Sequence, residues 1–207
     1  MKKLATLLVL FFALSNCYSQ EVYFSTGSNF TKYSFKSSNG TMLTRLQSGT
    51  GTNYEIGFSM PFKNDKFSYS LGMSLNEYNA VAGSPSNSYK WDTKYIGLQG
   101  ALNFTFCKIN NFQFVARGGV SLSTIIYGKQ TLNTYVYDLK KQDEFSNLLV
   151  IPFAGILTKY KLKDYGYLSL GYGISKSISP FNISDEKLSF TTNQITFGVH
   201  FNIDKKE

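Results

Sequence analysis

The sequence predicts an all-β fold, an eight-stranded antiparallel up-and-down transmembrane β-barrel, on three observations. Stretches of about 10 to 14 residues alternate between apolar side chains and small or polar ones, the period of a strand with two unlike faces. The second face is small rather than solvated, which a narrow lumen requires and a water-exposed sheet does not. The connections alternate long and short, the rhythm of an outer-membrane barrel with both ends in the periplasm.

The hairpin from Tyr54 to Leu75 shows the first two features together. Tyr54, Ile56, Phe58, Met60 and Phe62 share one face of its first arm, and Phe67, Tyr69, Leu71, Met73 and Leu75 share that of its second. Opposite them stand Glu55, Gly57, Ser59 and Pro61, then Ser68, Ser70, Gly72 and Ser74. An uninterrupted apolar outer face fits contact with lipid, and a face of Gly and Ser fits a lumen with little room.

In chain order, Met1-Lys2-Lys3, an apolar run from Leu4 to Leu14 and the exit Ser15-Asn16-Cys17-Tyr18-Ser19-Gln20 make a secretory signal peptide with cleavage after Ser19. Residues 1–19 are therefore read as leader and 20–207 as the barrel domain. A lipoprotein box with Cys17 as the acylated residue is the alternative. After cleavage Cys107 is the one remaining cysteine, so no intrachain disulfide is available. Loss of Lys2 and Lys3 takes the net charge from +8 to +6. The remaining surplus is lysine in turns and loops, which suits anionic lipid headgroups and not nucleic acid. After the leader no apolar run is long enough for a transmembrane helix. The 15 Tyr and 18 Phe against a single Trp, with only 16% charged residues, fit a barrel with aromatic girdles.

The first strand is expected over Glu21–Phe35, followed by a long loop from Lys36 to Gly51 rich in Ser, Gly and Thr. The hairpin arms are the second and third strands, joined by Lys63-Asn64-Asp65-Lys66, whose Asn and Asp tolerate left-handed angles. A loop from Glu77 to Asp92 carries Trp91. The fourth strand, Tyr95–Phe106, turns at Lys108–Asn111 into the fifth, Phe112–Tyr127, with Gln113, Arg117, Gly119, Ser121 and Ser123 inward. Gly128–Asn147 is the longest connection and the most charged. The sixth strand, Leu148–Leu162, contains Pro152, which costs a ladder hydrogen bond unless a bulge accommodates it. Lys163-Asp164 turns into the seventh, Tyr165–Ile178, and a loop from Ser179 to Lys187 precedes the eighth, Leu188–Ile203. Tyr54, Trp91, Tyr95 and Tyr165 fall near strand ends, where an interfacial girdle sits.

The last strand carries Gly198, Phe201 and Ile203, the spacing of a barrel-assembly signal, a glycine followed by two apolar residues. With Gly27-Ser28-Asn29-Phe30, Arg117-Gly118-Gly119-Val120-Ser121 and Leu170-Gly171-Tyr172-Gly173, it makes the mature chain similar to the small outer-membrane β-barrel proteins of Bacteroidetes, related in architecture to OmpX and OmpA barrels. The resemblance implies fold and outer-membrane location and assigns no functional residue. It also implies handling by the barrel-assembly machinery.

Candidate chemistry is sparse. Glu55 and Arg117 both lie on the small-residue face, where charge is costly unless paired, so they are expected either to meet as a lumen plug or to sit solvated near a mouth. His200, the one histidine, shares a parity with Gly198 and Asn202 and is expected to be a hydrogen-bonded lumen residue, because no Ser and carboxylate stand beside it at a recognisable spacing. One His and one Cys make no metal site, and Gly118-Gly119 lacks the Lys and helix of a nucleotide loop, so no cofactor is expected. Cys107 is read as inert. The function expected is that of a non-enzymatic, monomeric barrel acting structurally or through its extracellular loops on an unknown partner. The alternatives are a small-solute pore, a barrel enzyme acting on lipid, a secretion accessory and an exported soluble lipocalin-like ligand binder.

Overall fold

Eight long antiparallel strands follow one another around a closed ring in the computed structural model. It describes residues 20–36, 42–43, 47–64, 66–84, 87–133, 135–142, 145, 148–163, 165–179 and 187–203. The expected signal peptide, most of the Ser179–Lys187 loop and the charged Asp143 and Glu144 lie outside the described residues.

The ring consists of β1 (Gln20–Lys36), β3 (Gln47–Pro61), β4 (Phe67–Glu77), β6 (Asn87–Ile109), β7 (Phe112–Leu132), β9 (Leu149–Leu162), β10 (Gly166–Lys176) and β11 (Lys187–Ile203). It closes where β1 pairs with β11 in an unbroken antiparallel register from Gln20↔Ile203 to Lys36↔Lys187. Short turns join β3 to β4, β6 to β7 and β9 to β10 at the end that also holds both strand termini. Asn110 and Lys163 supply left-handed angles in two of these turns. In the third, Asn64 has no positive φ and its side-chain Oδ1 accepts the backbone N–H of Lys66 at 3.1 Å, while Asp65 lies outside the described residues.

Outside the ring the apolar face is fully presented. Phe24, Ile56, Met73, Leu98, Leu122, Ile156, Leu170 and Phe197, one from each strand, are all exposed, and Leu98 retains 64% of its surface. β4 and β10 have 11 residues each, the length a tilted strand needs to cross a bilayer. This outer face is the reverse of a lipocalin exterior, so the inverted reading of the faces does not hold.

At the long-connection end the expected loops are partly strand. β3 begins at Gln47, within the segment expected to be loop, because Gly49 lies where a Cβ would come 2.2 Å from the carbonyl oxygen of Asn79. The Ser, Gly and Thr content there serves close approach between backbones, which reads in sequence as a loop. The short strands β2 (Met42–Leu43), β5 (Ala80–Ser84) and β8 (Tyr135–Asp138) pair with β1, with β3 and β6, and with β7 respectively. β6 and β7 run 23 and 21 residues and carry this sheet beyond the point where β4 ends at Glu77↔Lys94. A register shift at Lys94/Tyr95 marks that point, and a second at Thr105/Cys107 lies near the other end, beside the free, half-buried Cys107.

Pro152 needs no bulge. Its pairing with Val120 on β7 keeps register, whereas the β9–β10 ladder stops at Phe153↔Ser175 and resumes only as the bridge Val150↔Ile178. The mutual bonds of Val150 and Ile178 show that this parity aims its N–H groups at β10, so the donor that proline lacks falls in the gap.

Inside, the lumen near the long connections is aromatic rather than small and polar. Tyr33, Tyr78, Trp91, Tyr95, Phe145 and Phe190 cluster there with Leu139, Leu149, Ile151 and Leu188. Trp91 and Tyr95 are therefore inward and buried, not part of a girdle, while Tyr54 and Tyr165 are exposed. Tyr78 and Phe190 approach to 4.4 Å between ring centroids, and Trp91 meets Tyr33 and Phe145 edge-on. The Tyr33 hydroxyl donates to the carbonyl of Tyr78 at 2.9 Å, which satisfies its buried O–H. Phe190→Ala should cost about 3 kcal/mol of stability, read as an earlier midpoint of denaturant unfolding in detergent, with the barrel still closed below it.

Candidate functional site

Below the aromatic cluster, two charged groups of residues face the lumen. Glu55 on β3 and Arg117 on β7 lie across the barrel from each other and are paired. Arg117 Nη2 donates to Glu55 Oε1 at 2.6 Å and Nη1 to Oε2 at 3.2 Å, a two-point contact. The Tyr23 hydroxyl donates to Glu55 Oε1 at 2.5 Å and accepts from Arg117 Nη2 at 3.4 Å. The guanidinium lies 5.4 Å from the ring of Phe153 and 5.8 Å from that of Tyr23. Gly57 and Gly72, paired across β3 and β4, make room for this phenol: a Cβ on either would meet the Tyr23 hydroxyl within 3.0 Å.

Arg117 lines two cavities, one of about 330 Å³ towards the short turns and one of about 70 Å³ towards the aromatic cluster. The pair thus stands as a partition within the lumen. Neither charge is solvated at a mouth, since the Arg117 side chain keeps 15% of its surface and that of Glu55 8%.

The second cluster surrounds His200. Its Nδ1 lies 2.6 Å from Glu21 Oε1 and its Nε2 lies 2.8 Å from Ser169 Oγ. Lys159 Nζ donates to the same Glu21 oxygen at 2.6 Å. The imidazole stacks on Tyr23 at 5.5 Å between centroids and 28° between planes, which links the two clusters. Four adjacent strands hold the set: Tyr23 is the partner of His200 across β1–β11, Tyr167 is its partner across β10–β11, and Lys159 is that of Ser169 across β9–β10.

Gly198, expected in the sequence as part of the assembly signal, faces inward here. A Cβ at this position would lie 2.6 Å from Ser169 Oγ and 3.3 Å from His200 Nε2, so its absence leaves the space in which serine and histidine meet. Phe201 and Ile203, the other two residues of that pattern, point outward and are half exposed.

Sequence reasoning placed Glu55 and Arg117 on one face but found no serine or carboxylate for His200. The structure supplies both, from positions 31 and 179 residues away in the chain. Inward parity was the available signal, and it marks Glu21, Ser169 and Lys159 equally with many other residues.

No protein-family model and no curated protein sequence matches the chain. In structure it is similar to Ail, the attachment invasion locus protein of Yersinia pestis, at 11% identity and TM-score 0.47, over 87% of this chain and 98% of that one. It is similar also to Neisserial surface protein A, at 13% identity and TM-score 0.46, over 88% and 97%. The outer membrane protease OmpT of Escherichia coli is another, at 8% identity and TM-score 0.45, over 89% and 97%. At such identities the likeness concerns the course of the chain and carries no residue role across.

Removing one partner of a buried pair strands the other charge. Arg117→Met should lower stability by about 3 kcal/mol, and Glu55→Met/Arg117→Met should cost less than that single change, both read from denaturant unfolding in micelles.

Proposed function

We propose that this chain is an outer-membrane barrel protein, exported by its leader and inserted by the barrel-assembly machinery through the Gly198, Phe201 and Ile203 strand, which acts by surface contact rather than as a pore. The observation that carries the reading is the sheet that β6, β7 and β8 raise beyond the apolar belt, where all four residues of β8 are exposed. Tyr135, Val136 and Tyr137 retain 70%, 59% and 49% of their surface, an unpartnered aromatic and aliphatic stretch. A polar hairpin in water has no physical need of it. A contact that buries it does.

Two further features support membrane placement and a closed lumen. Lys32 and Lys176 flank Thr191 in one row across β1, β11 and β10 on the outer face, and Lys94 and Lys129 stand over the Tyr127 ring at 5.9 and 5.5 Å. These cations lie at the long-connection rim of the belt, the level of anionic outer-leaflet headgroups. Within, the Glu55–Arg117 partition and the aromatic cluster occupy the bore, which argues against a small-solute pore.

Cells expressing the protein test both parts. The folded protein should migrate differently with and without boiling in detergent, resist carbonate extraction and give no conductance steps in planar bilayers. Tyr135→Ser/Val136→Ser/Tyr137→Ser should keep that mobility shift while adherence of the cells to protein-coated surfaces falls to the level of non-expressing cells. Unchanged adherence in the triple variant, or open-channel steps from the wild type, would contradict the reading.

A further inference from the structure

Ser169, His200 and Glu21 stand in the order of a nucleophile, a base and the carboxylate that orients the base. Ser169 Oγ and Glu21 Oε1 contact opposite nitrogens of one imidazole at 2.8 and 2.6 Å, within the reach that proton transfer requires. A carboxylate accepting from Nδ1–H leaves Nε2 free to accept the serine proton, which fixes the tautomer a general base needs. The imidazole is held by stacking on Tyr23, and Gly198 keeps the Ser169–His200 space clear. A structural hydrogen-bond network does not need a cavity in front of the serine. This one has it.

All three residues line the cavity of about 330 Å³ that reaches the short-turn end, where Lys108 stands at the rim. We infer that Ser169, His200 and Glu21 form a lumen esterase site that hydrolyses small, negatively charged carboxylic esters entering from the short-turn end. The charge preference follows from the entrance: in the wall Arg117 is paired with Glu55 and Lys159 with Glu21, which leaves the Lys108 cation at the rim as the surplus charge. The small size follows from the cavity volume.

The restriction to esters follows from the sheet. Strand N–H groups are committed to the ladder, so an oxyanion cannot draw on a pair of backbone donors as it does at a helix or loop. Lys159, the cross-strand partner of Ser169, is held by Glu21 at 2.6 Å and adds its positive charge to the same wall. In the first step Ser169 Oγ bonds to the carbonyl carbon while its proton passes to His200 Nε2. The C–O bond to the alcohol then breaks, and Nε2 returns the proton to the departing oxygen. Water, giving a proton to Nε2, attacks the acyl-serine, releases the acid and restores Ser169 as that proton returns to Oγ. This activity goes beyond the surface role, and its failure leaves that role intact.

The test uses the full mature protein folded in detergent micelles, with 4-nitrophenyl hemisuccinate, 4-nitrophenyl acetate and a fluorophosphonate probe. Saturable hydrolysis is expected, faster in kcat/KM for the hemisuccinate, together with a fluorophosphonate adduct on Ser169. Ser169→Ala and His200→Gln should each lower kcat/KM by about 100-fold or more. Glu21→Gln should lower kcat more than it changes KM, and Lys108→Ala should narrow the preference for the hemisuccinate. Variants are compared only where the heat-dependent mobility shift persists. Folded wild type that takes up no probe at Ser169, or hydrolyses no faster than Ser169→Ala, would overturn the proposal whatever the other variants do.

Discussion

Closure of β1 onto β11 is the constraint on which the rest of the molecule depends. Once their register runs from Gln20↔Ile203 to Lys36↔Lys187, the ring of eight long strands has no edge and within it alternate side chains must enter one narrow bore. The outer set can then be apolar without interruption. The inner set must fit by size and pair by charge, and where it does not fit the chain uses glycine, as where Gly57 and Gly72 admit the Tyr23 phenol.

The lumen is filled in layers of different chemistry along its axis. Aromatic side chains close the end near the long connections, the Glu55–Arg117 pair crosses the middle, and a hydrogen-bonded set around His200 occupies the end near the short turns. Tyr23 belongs to both polar layers, donating to Glu55 and stacking on His200, so the two are mechanically one unit. The two ends of the barrel accordingly offer different things: an exposed sheet of β6, β7 and β8 at one, and an open polar cavity at the other.

Much of the fold was legible because strand parity is a local property. Period-two alternation marked Tyr54 to Phe62 and Leu168 to Ile174 as lipid-facing on one side, and the short turns fixed which strands are neighbours. The pairing of Leu162 with Gly166 across the short connection even sets Lys159 opposite Ser169. The same logic failed at Gln47–Gly51, where glycine marks close backbone approach, and at Trp91, which stands in a strand that continues where a loop was expected; Tyr95 shares the inward parity of Gly97 and Gln99, and only its girdle assignment failed. The site was illegible for a different reason. His200 meets Glu21 only through closure of the first strand on the last, and Ser169 through the β10–β11 register, neither of which a short turn sets. Glu55 and Arg117 meet across the bore, where strand tilt rather than pairing decides the level.

The central claim is that the apolar face meets lipid and the polar and aromatic face is enclosed. Trp91, the one tryptophan, is buried inside, so it serves as an internal control for an introduced partner at Leu98, the outward residue with 64% of its surface exposed. The direct measurement is fluorescence quenching by lipids brominated along their acyl chains, in the wild type and in Leu98→Trp. Emission from Trp91 should be insensitive to the bromine, and the added indole at position 98 should be strongly quenched. Quenching of Trp91 in the wild type, or none beyond it in Leu98→Trp, would contradict the account.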